Sequence, residues 1–213
     1  MKSMKLLHSL AGFLCSVCLM AILLITSIEA VAYWIPGYYE KEYTKYQVLD
    51  DLPEMAMDDL LAVTHEMMAY LRGNREDLHV FTTMGGEYRE FFNAREIAHM
   101  EDVRGLFLGG LVIRRAAVLG ILLALAFLIF TKAKLLEILP KAICLGMGGV
   151  FLIAGALGGI IATDFNKYFV IFHHIFFDND LWILDPATDM LINIVPEPFF
   201  MDTAFFILIL YGV

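Results

Sequence analysis

Two of the six histidines in this 213-residue chain, His99 and His173, each lie on an otherwise apolar face of a predicted helix. Histidine changes charge near neutral pH and is the usual general acid or base in proteins. Glu96 precedes His99 by three residues and Asp102 follows it by three, so either carboxylate can reach the imidazole ring. A carboxylate that holds one ring nitrogen fixes the tautomer and raises the basicity of the ring. The pattern predicts proton transfer at both histidines, and an interfacial or simply buried histidine is the alternative.

The segment around His173 combines acidic, amide and aromatic side chains. Acidic and amide groups that follow the histidine could hold its ring or position a substrate, and these are Asp178, Asn179, Asp180, Asp185 and Asp189. Aromatic side chains could form the wall of an apolar pocket, and these are Phe169, Phe172, Phe176, Phe177 and Trp182. Solvated helix capping by the acids and an aromatic belt at the lipid headgroups are the alternatives.

Motifs for other chemistries are missing from the sequence. There is no glycine-rich phosphate loop, no Gly-x-Ser-x-Gly elbow and no His-Glu-x-x-His pair. Cys15, Cys18 and Cys144 lie within apolar runs and have no metal-binding spacing with histidine. We therefore expect no metal and no diffusible cofactor. The formal charge of -9 excludes a nucleic-acid binder, because such a chain is repelled by phosphate.

The chain is 60% hydrophobic and 18% charged, which makes it more apolar than a typical soluble domain. Its apolar residues cluster in four runs, from Leu6 to about Ile28, 116–131, 142–162 and 203–213. The sequence therefore predicts an all-α integral membrane protein with four transmembrane helices, the last apparently truncated because crossing takes about 20 residues. A signal peptide is the alternative for the first run. That run is longer than the usual apolar stretch of about 7–15 residues, so we expect an uncleaved span.

Charges on the short connecting segments predict the orientation of the chain. Positive residues in short loops favour the cytoplasmic side, and here they are Lys2, Lys5, Lys132, Lys134 and Lys141. Arg114 and Arg115 lie toward the other side and are counter-evidence. We expect a first transmembrane helix in 1–34, a mostly helical extracellular cap in 35–113, the second and third transmembrane helices with a short cytoplasmic loop in 114–162, an outer aromatic and acidic segment in 163–202, and the start of a fourth transmembrane helix in 203–213.

Local patterns predict helices in the two outer segments. An apolar stripe at helical spacing covers 57–71, and Arg72-Gly73-Asn74 ends it. A second helix begins near Asn93, with Glu96 at its third position as a variant of the capping box. Asp164 is the candidate N-cap of a third helix.

Two glycine pairs predict breaks between elements of the long outer segment. They are Gly85-Gly86 and Gly109-Gly110. The segment as a whole is therefore expected to be helical with turns.

Two blocks of residues resemble a known family. They are His99-Met100-x-Asp102-Val103 and Phe172-His173-x-Ile175-Phe176-Phe177-x-Asn179-Asp180-x-Trp182, the latter followed by Asp185-Pro186-x-Thr188-Asp189 and by Pro196 with Phe199-Phe200. In order, spacing and residue type these blocks resemble the lipoprotein intramolecular transacylases (Lit), which are small bacterial membrane proteins. The resemblance covers nearly the whole chain. It implies four transmembrane helices under an extracellular cap, with the active site between them.

The resemblance also implies a reaction. The acyl chain on the sn-2 ester of a diacylglyceryl group moves to the α-amine of the N-terminal cysteine of the same lipoprotein, which leaves a lyso-form lipoprotein. The implied partners are a diacylated lipoprotein and membrane lipid. His99 and His173 map to the two catalytic histidines, and His174 is the weaker candidate. The residues expected to orient them or the substrate are Asp102, Glu96, His174, Asn179, Asp180, Trp182, Asp185 and Asp189, and those expected to line the pocket are Phe172, Phe176 and Phe177.

Three other functions stay open at the level of the sequence. One is a haem-binding electron-transfer membrane protein with His99 and His173 as ligands, although both fall outside the apolar runs and no Cys-x-x-Cys-His motif occurs. Another is a non-enzymatic membrane scaffold or chaperone whose acidic cap docks a partner. The third is an acyltransferase that takes its acyl chain from a separate phospholipid.

Overall fold

The computed structural model describes residues 2–52 and 55–212. The helices are α1 (Lys2–Tyr33), α2 (Tyr38–Lys45), α3 (Met57–Leu71), α4 (Ala94–Phe130), α5 (Leu135–Ile161), α6 (Phe165–Phe176), α7 (Met190–Ile194) and α8 (Glu197–Gly212), with a 3-10 turn at Val48–Asp51. Strands β1 (Phe81–Met84) and β2 (Glu87–Glu90) form an antiparallel hairpin. The chain divides into two compact units: an apolar unit within 1–29, 110–163 and 207–213, and a histidine unit within 30–109 and 164–206.

Three of the described helices are long and apolar enough to cross a membrane, namely Ser3–Tyr33, Ala94–Phe130 and Leu135–Ile161. The protein is therefore an integral membrane protein whose first three predicted spans coincide with long helices. α8 has 16 residues, and a span needs at least about 17. The helix at the predicted fourth span is therefore not among the described helices that are long and apolar enough to cross a membrane.

α4 is one continuous helix of 37 residues, about 55 Å long at 1.5 Å per residue. The expected break at Gly109-Gly110 is wrong, because the helix runs through both glycines. Each glycine costs a helix only about 1 kcal/mol relative to alanine, and apolar helix-forming residues continue the pattern on either side. The predicted helix that carries His99 and the predicted second span are consequently parts of the same element.

Within the apolar unit, an ion pair joins α1 to α4. Arg114 donates a hydrogen bond to the Glu29 carboxylate, and the Glu29 side chain is only 8% exposed. Small residues bring helices close in the same unit: a Cβ on Gly120 would lie 3.1 Å from the Cys18 sulfur.

In the histidine unit, local sequence signals specify the ends of three helices. α3 covers Met57–Leu71 and ends at Arg72, as its apolar stripe predicts. At the start of α4, the Glu96 side chain accepts the backbone N–H of Asn93 at 2.7 Å, and the Asn93 side chain accepts the backbone N–H of Glu96 at 3.1 Å, so the predicted capping box is confirmed. Asp164 caps α6 by accepting the backbone N–H of Lys167 at 3.1 Å.

The hairpin is the feature of the histidine unit that the helical expectation missed. Gly85 and Gly86 form its two-residue turn, with φ angles of +58° and +79°. Left-handed backbone at both turn positions is the geometry that joins two twisted antiparallel strands, and it favours glycine. These two glycines were expected only to separate two elements. A two-residue glycine turn between two runs of β-forming residues is the signal that predicts a hairpin.

Candidate active site

The structure brings His99 of α4 and His173 of α6 together inside the histidine unit. Their ring centroids are 6.1 Å apart, with the ring planes inclined at 34°. Each residue is only 6% exposed. The buried Phe177 ring contacts both, at centroid distances of 5.3 Å from His99 and 5.5 Å from His173. Two imidazoles from distant parts of the sequence thus share one apolar environment.

His173 is fixed by its own helix and by aromatic rings. Its Nδ1 is 2.7 Å from the carbonyl oxygen of Phe169. A carbonyl can only accept, so Nδ1 carries the hydrogen and Nε2 carries the free electron pair. The Trp182 ring lies at 4.7 Å and 30° to the imidazole, and the Phe169 ring packs edge-on at 4.3 Å.

The surroundings of His173 favour its neutral form. Burial lowers the pKa of His173 below the usual 6.5, although the hydrogen bond to the Phe169 carbonyl acts in the opposite direction. Desolvation penalises the charged imidazolium more than the neutral ring. At neutral pH His173 is therefore a neutral ring with a basic Nε2, which is the state that a general base needs.

Neither expected carboxylate contact to the His99 ring is present. The Glu96 carboxyl group accepts the backbone N–H groups of Asn93 and Leu191, at 2.7 and 2.5 Å, so it folds back to the helix start and cannot turn forward to the ring. Asp102 accepts a hydrogen bond from the Asn179 amide at 2.9 Å. Among the residues that the structure describes, the buried Nδ1 of His99 has no hydrogen-bond partner.

The segment that follows α6 is attached to the beginning of α4. Asp189 is 4% exposed, and it accepts hydrogen bonds from the Asn93 amide and the backbone N–H of Asp185, both at 2.7 Å. Burial acts to raise the pKa of Asp189, but these hydrogen bonds outweigh it and hold the pKa below its usual value. Arg95 donates to the backbone carbonyl of Asp180. Asn93 and Arg95 were absent from the predicted site, and only their nearness to a helix start could have suggested them.

The remaining predicted residues lie around this core and do not hold the His173 ring. Asp178, Asp180 and Asp185 are exposed, and Asp185 caps its own turn through the backbone N–H of Ala187 at 2.9 Å. The exposed His174 ring packs edge-on against Trp182 at 5.1 Å. The backbone carbonyl of Phe169 takes the place expected for a carboxylate, because it lies one helical turn before His173.

A cavity of about 310 Å³ lies beside the histidine pair within the same unit. It has an apolar wall and an acidic and amide wall, and its lining residues are Glu101, Asp102, Gly105, Leu106, Phe176, Phe177, Asp178 and Asn179. Phe177 belongs to this lining and also contacts both imidazoles. In residues 2–52 and 55–212 there is no group of three or more histidine, cysteine or acidic side chains that could hold a metal ion.

The long apolar helices make this chain an integral membrane protein, and its histidine unit holds a buried pair of imidazoles. The chain belongs to the family described as lipoprotein intramolecular transacylase Lit, whose family model matches residues 13–200. The family description is that of a transferase that acts on lipoproteins. The comparison with curated proteins found no match.

Solved structures of the Lit protein from Bacillus cereus have a similar fold. One, determined in meso, is 23% identical and has a TM-score of 0.78, over 96% of this chain and 89% of that one. A variant with one histidine replaced by arginine is 22% identical with a TM-score of 0.76, over 99% and 88% of the two chains. A variant with an alanine replacement is 23% identical with a TM-score of 0.76, over 99% and 90%. At these identities the likeness establishes the fold.

Proposed function

We propose that this protein moves the sn-2 acyl chain of a diacylglyceryl lipoprotein to the α-amine of the N-terminal cysteine of the same lipoprotein. The observation that carries the proposal is the pair of buried imidazoles, His99 and His173, at 6.1 Å in a member of this family. Membership of a transacylase family favours an enzyme over a haem protein or a scaffold. The product is an N-acylated, lyso-form lipoprotein.

The reaction sets two chemical problems. An α-amine has a pKa near 8, so it must lose a proton before it can attack an ester. Counting the amine nitrogen, Cα, Cβ, sulfur, two glycerol carbons, the ester oxygen and the acyl carbon gives an eight-membered ring in the intermediate. Such a ring closes reluctantly, and good positioning can lower the barrier by about 7–11 kcal/mol. Holding the two groups together is the larger part of the task.

We assign His173 as the general base. Its Nδ1–H is committed to the Phe169 carbonyl, which leaves Nε2 free to accept a proton from the attacking nitrogen. The ring is neutral at physiological pH because burial lowers its pKa. Contacts with Trp182 and Phe169 hold the ring in one orientation. A positioned base of this kind contributes about 10²–10⁴-fold to the rate.

We assign His99 to the leaving group. Its buried Nδ1 has no partner among the described residues, so that atom is available to a bound substrate. The nitrogen must shed one proton as the amide forms, and the sn-2 glyceryl oxygen must gain one as its bond to the acyl carbon breaks. In this proposal the proton that His173 accepts is passed to His99 as His99 protonates the glyceryl oxygen, which restores both rings to their neutral forms.

The cavity next to the two histidines has apolar and polar lining residues that match the apolar and polar parts of the substrate. Its apolar residues Leu106 and Phe176 suit an acyl chain, and its polar side, with Asp102 and Asn179, suits an amine and an ester.

We place the histidine unit on the outer face of the membrane. Lys132 and Lys134 lie in the short connection between α4 and α5, where they favour the cytoplasmic side, and Arg114 and Arg115 are the opposing evidence.

Mass spectrometry of a diacylated lipopeptide with an isotope-labelled sn-2 chain tests the proposed function. Incubation with the purified protein should move the label to the amide while the mass of the lipopeptide stays constant, because intramolecular transfer conserves acyl carbon. A gain of one chain in the presence of phospholipid would identify an external donor. An unchanged lipopeptide under all conditions would overturn the proposal.

A further inference from the structure

Two buried polar atoms without partners belong to rings that neighbour the His173 ring, those of His99 and Trp182. Four buried side-chain atoms have no hydrogen-bond partner in the part of the chain that the structure describes: Ser16 Oγ, Glu42 Oε2, His99 Nδ1 and Trp182 Nε1. Buried polar atoms in folded proteins nearly always have a partner, so each exception needs an explanation, and a contact with bound substrate is one of these at a candidate active site. The proposed mechanism uses His99 and leaves the Trp182 indole nitrogen without a role.

The indole of Trp182 is held in place next to the proposed general base. Its ring lies 4.7 Å from the His173 ring and 5.1 Å from the His174 ring. The backbone is fixed on both sides, because Leu181 N–H donates to the Asn179 side chain at 3.0 Å and Ile183 N–H donates to the Asp180 carbonyl at 3.2 Å. These hydrogen bonds keep the Trp182 backbone, and with it the indole, next to His173.

The chemistry of the indole N–H restricts what it can bind. The group is a hydrogen-bond donor only, so its partner must be an acceptor. It does not release its proton near neutral pH, so it can stabilise a developing negative charge but cannot protonate a leaving group. Of the two ester oxygens, the carbonyl oxygen gains charge without needing a proton. A buried donor directed at such an oxygen is worth far more than the same donor in water.

We propose that the Trp182 Nε1–H donates a hydrogen bond to the ester carbonyl oxygen of the substrate and stabilises the oxyanion of the tetrahedral intermediate. This assignment rests on the proposed function. In the step concerned, the amine nitrogen forms a bond to the acyl carbon, and the carbonyl π electrons move onto the oxygen. The carbonyl then re-forms, the bond to the sn-2 glyceryl oxygen breaks, and one amine proton reaches that oxygen through the histidine pair.

The Trp182→Phe variant tests this role because it keeps an aromatic ring against His173 and removes the N–H donor together with the five-membered part of the indole. Loss of one oxyanion donor typically lowers kcat by about 10²–10³-fold. We expect a fall of this size on the labelled lipopeptide, with KM little changed and the acid limb of the pH–rate profile unmoved. Trp34→Phe is the matched control, since Trp34 is 53% exposed and its replacement should leave the rate at the wild-type level.

A second replacement keeps the test decisive if Trp182→Phe fails to fold. The chain has two tryptophans, so in a Trp34→Phe background the benzothiophene analogue of tryptophan can be placed at position 182 alone. The analogue preserves the bicyclic ring and replaces N–H by sulfur, and it should show the same loss of kcat. Full activity of a folded variant of either kind, beside active wild-type protein, would overturn the assignment. Inactive wild-type protein would overturn the proposed function, and this assignment with it.

Discussion

Replacing Glu96 tests how the site is positioned, because this residue joins the start of α4 to α7. Its side chain is 0% exposed, and its two oxygens accept the backbone N–H groups of Asn93 and Leu191, at 2.7 and 2.5 Å. His99 follows one helical turn later. Glu96 therefore affects catalysis only by holding the backbone that carries His99 against the segment after α6.

The expected magnitudes follow from the number of backbone donors left without an acceptor. A buried N–H that loses its acceptor costs about 1–3 kcal/mol. Glu96→Ala leaves two such groups, so the free energy of unfolding should fall by about 2–6 kcal/mol. Glu96→Gln keeps one acceptor and turns an amide N–H toward the second donor, so the loss should be about 1–3 kcal/mol.

Denaturant unfolding in detergent, followed together with single-turnover acyl transfer, measures both effects. We expect stability and rate to fall in the order wild type, Glu96→Gln, Glu96→Ala. Glu87→Gln is the control, because this carboxylate is exposed in β2. A Glu96→Ala protein within about 0.5 kcal/mol of wild type, the range of ordinary surface substitutions, would refute the reasoning.

Three further predictions concern the histidine, a helix cap and the ion pair. Because burial lowers the pKa of His173 below 6.5, acidification through the unfolded-state pKa should destabilise wild type more than His173→Gln, and pH–stability profiles of the two proteins check this. Asp164→Ala should lower the free energy of unfolding by about 0.5–2 kcal/mol through loss of the α6 cap, measured by denaturant titration. Arg114→Met should destabilise the protein, since it removes one charged partner of the buried Glu29, whereas the exposed Arg115→Met should be nearly neutral in thermal unfolding.

Local signals predicted those parts of the fold that neighbouring residues determine. The stripe in 57–71, the Asn93–Glu96 capping box and the Asp164 cap each involve residues within a turn or two of one another, and all three are present. The glycine pairs were harder to interpret. Gly85-Gly86 makes a hairpin turn and Gly109-Gly110 lies inside a helix, because the residues on either side decide which structure a glycine pair joins.

The composition of the site was predictable, but its hydrogen bonds were not. His99 and His173 were both candidates from the sequence, and the structure places their rings in one environment. The partners of Glu96 and Asp102 depend on which hydrogen-bond donors tertiary packing brings next to them. Glu96 meets the N–H of Leu191 and Asp102 meets Asn179, contacts between residues far apart in the chain that no local spacing encodes.

The central claim is that two imidazoles act on one lipid ester, and single-turnover acyl transfer by His99→Gln and His173→Gln tests it most directly. We predict that each variant folds and that each loses about 10²–10⁴-fold in rate, while His65→Gln, at an exposed position of α3, keeps the wild-type rate. Wild-type turnover by a folded His99→Gln or His173→Gln protein would contradict the account.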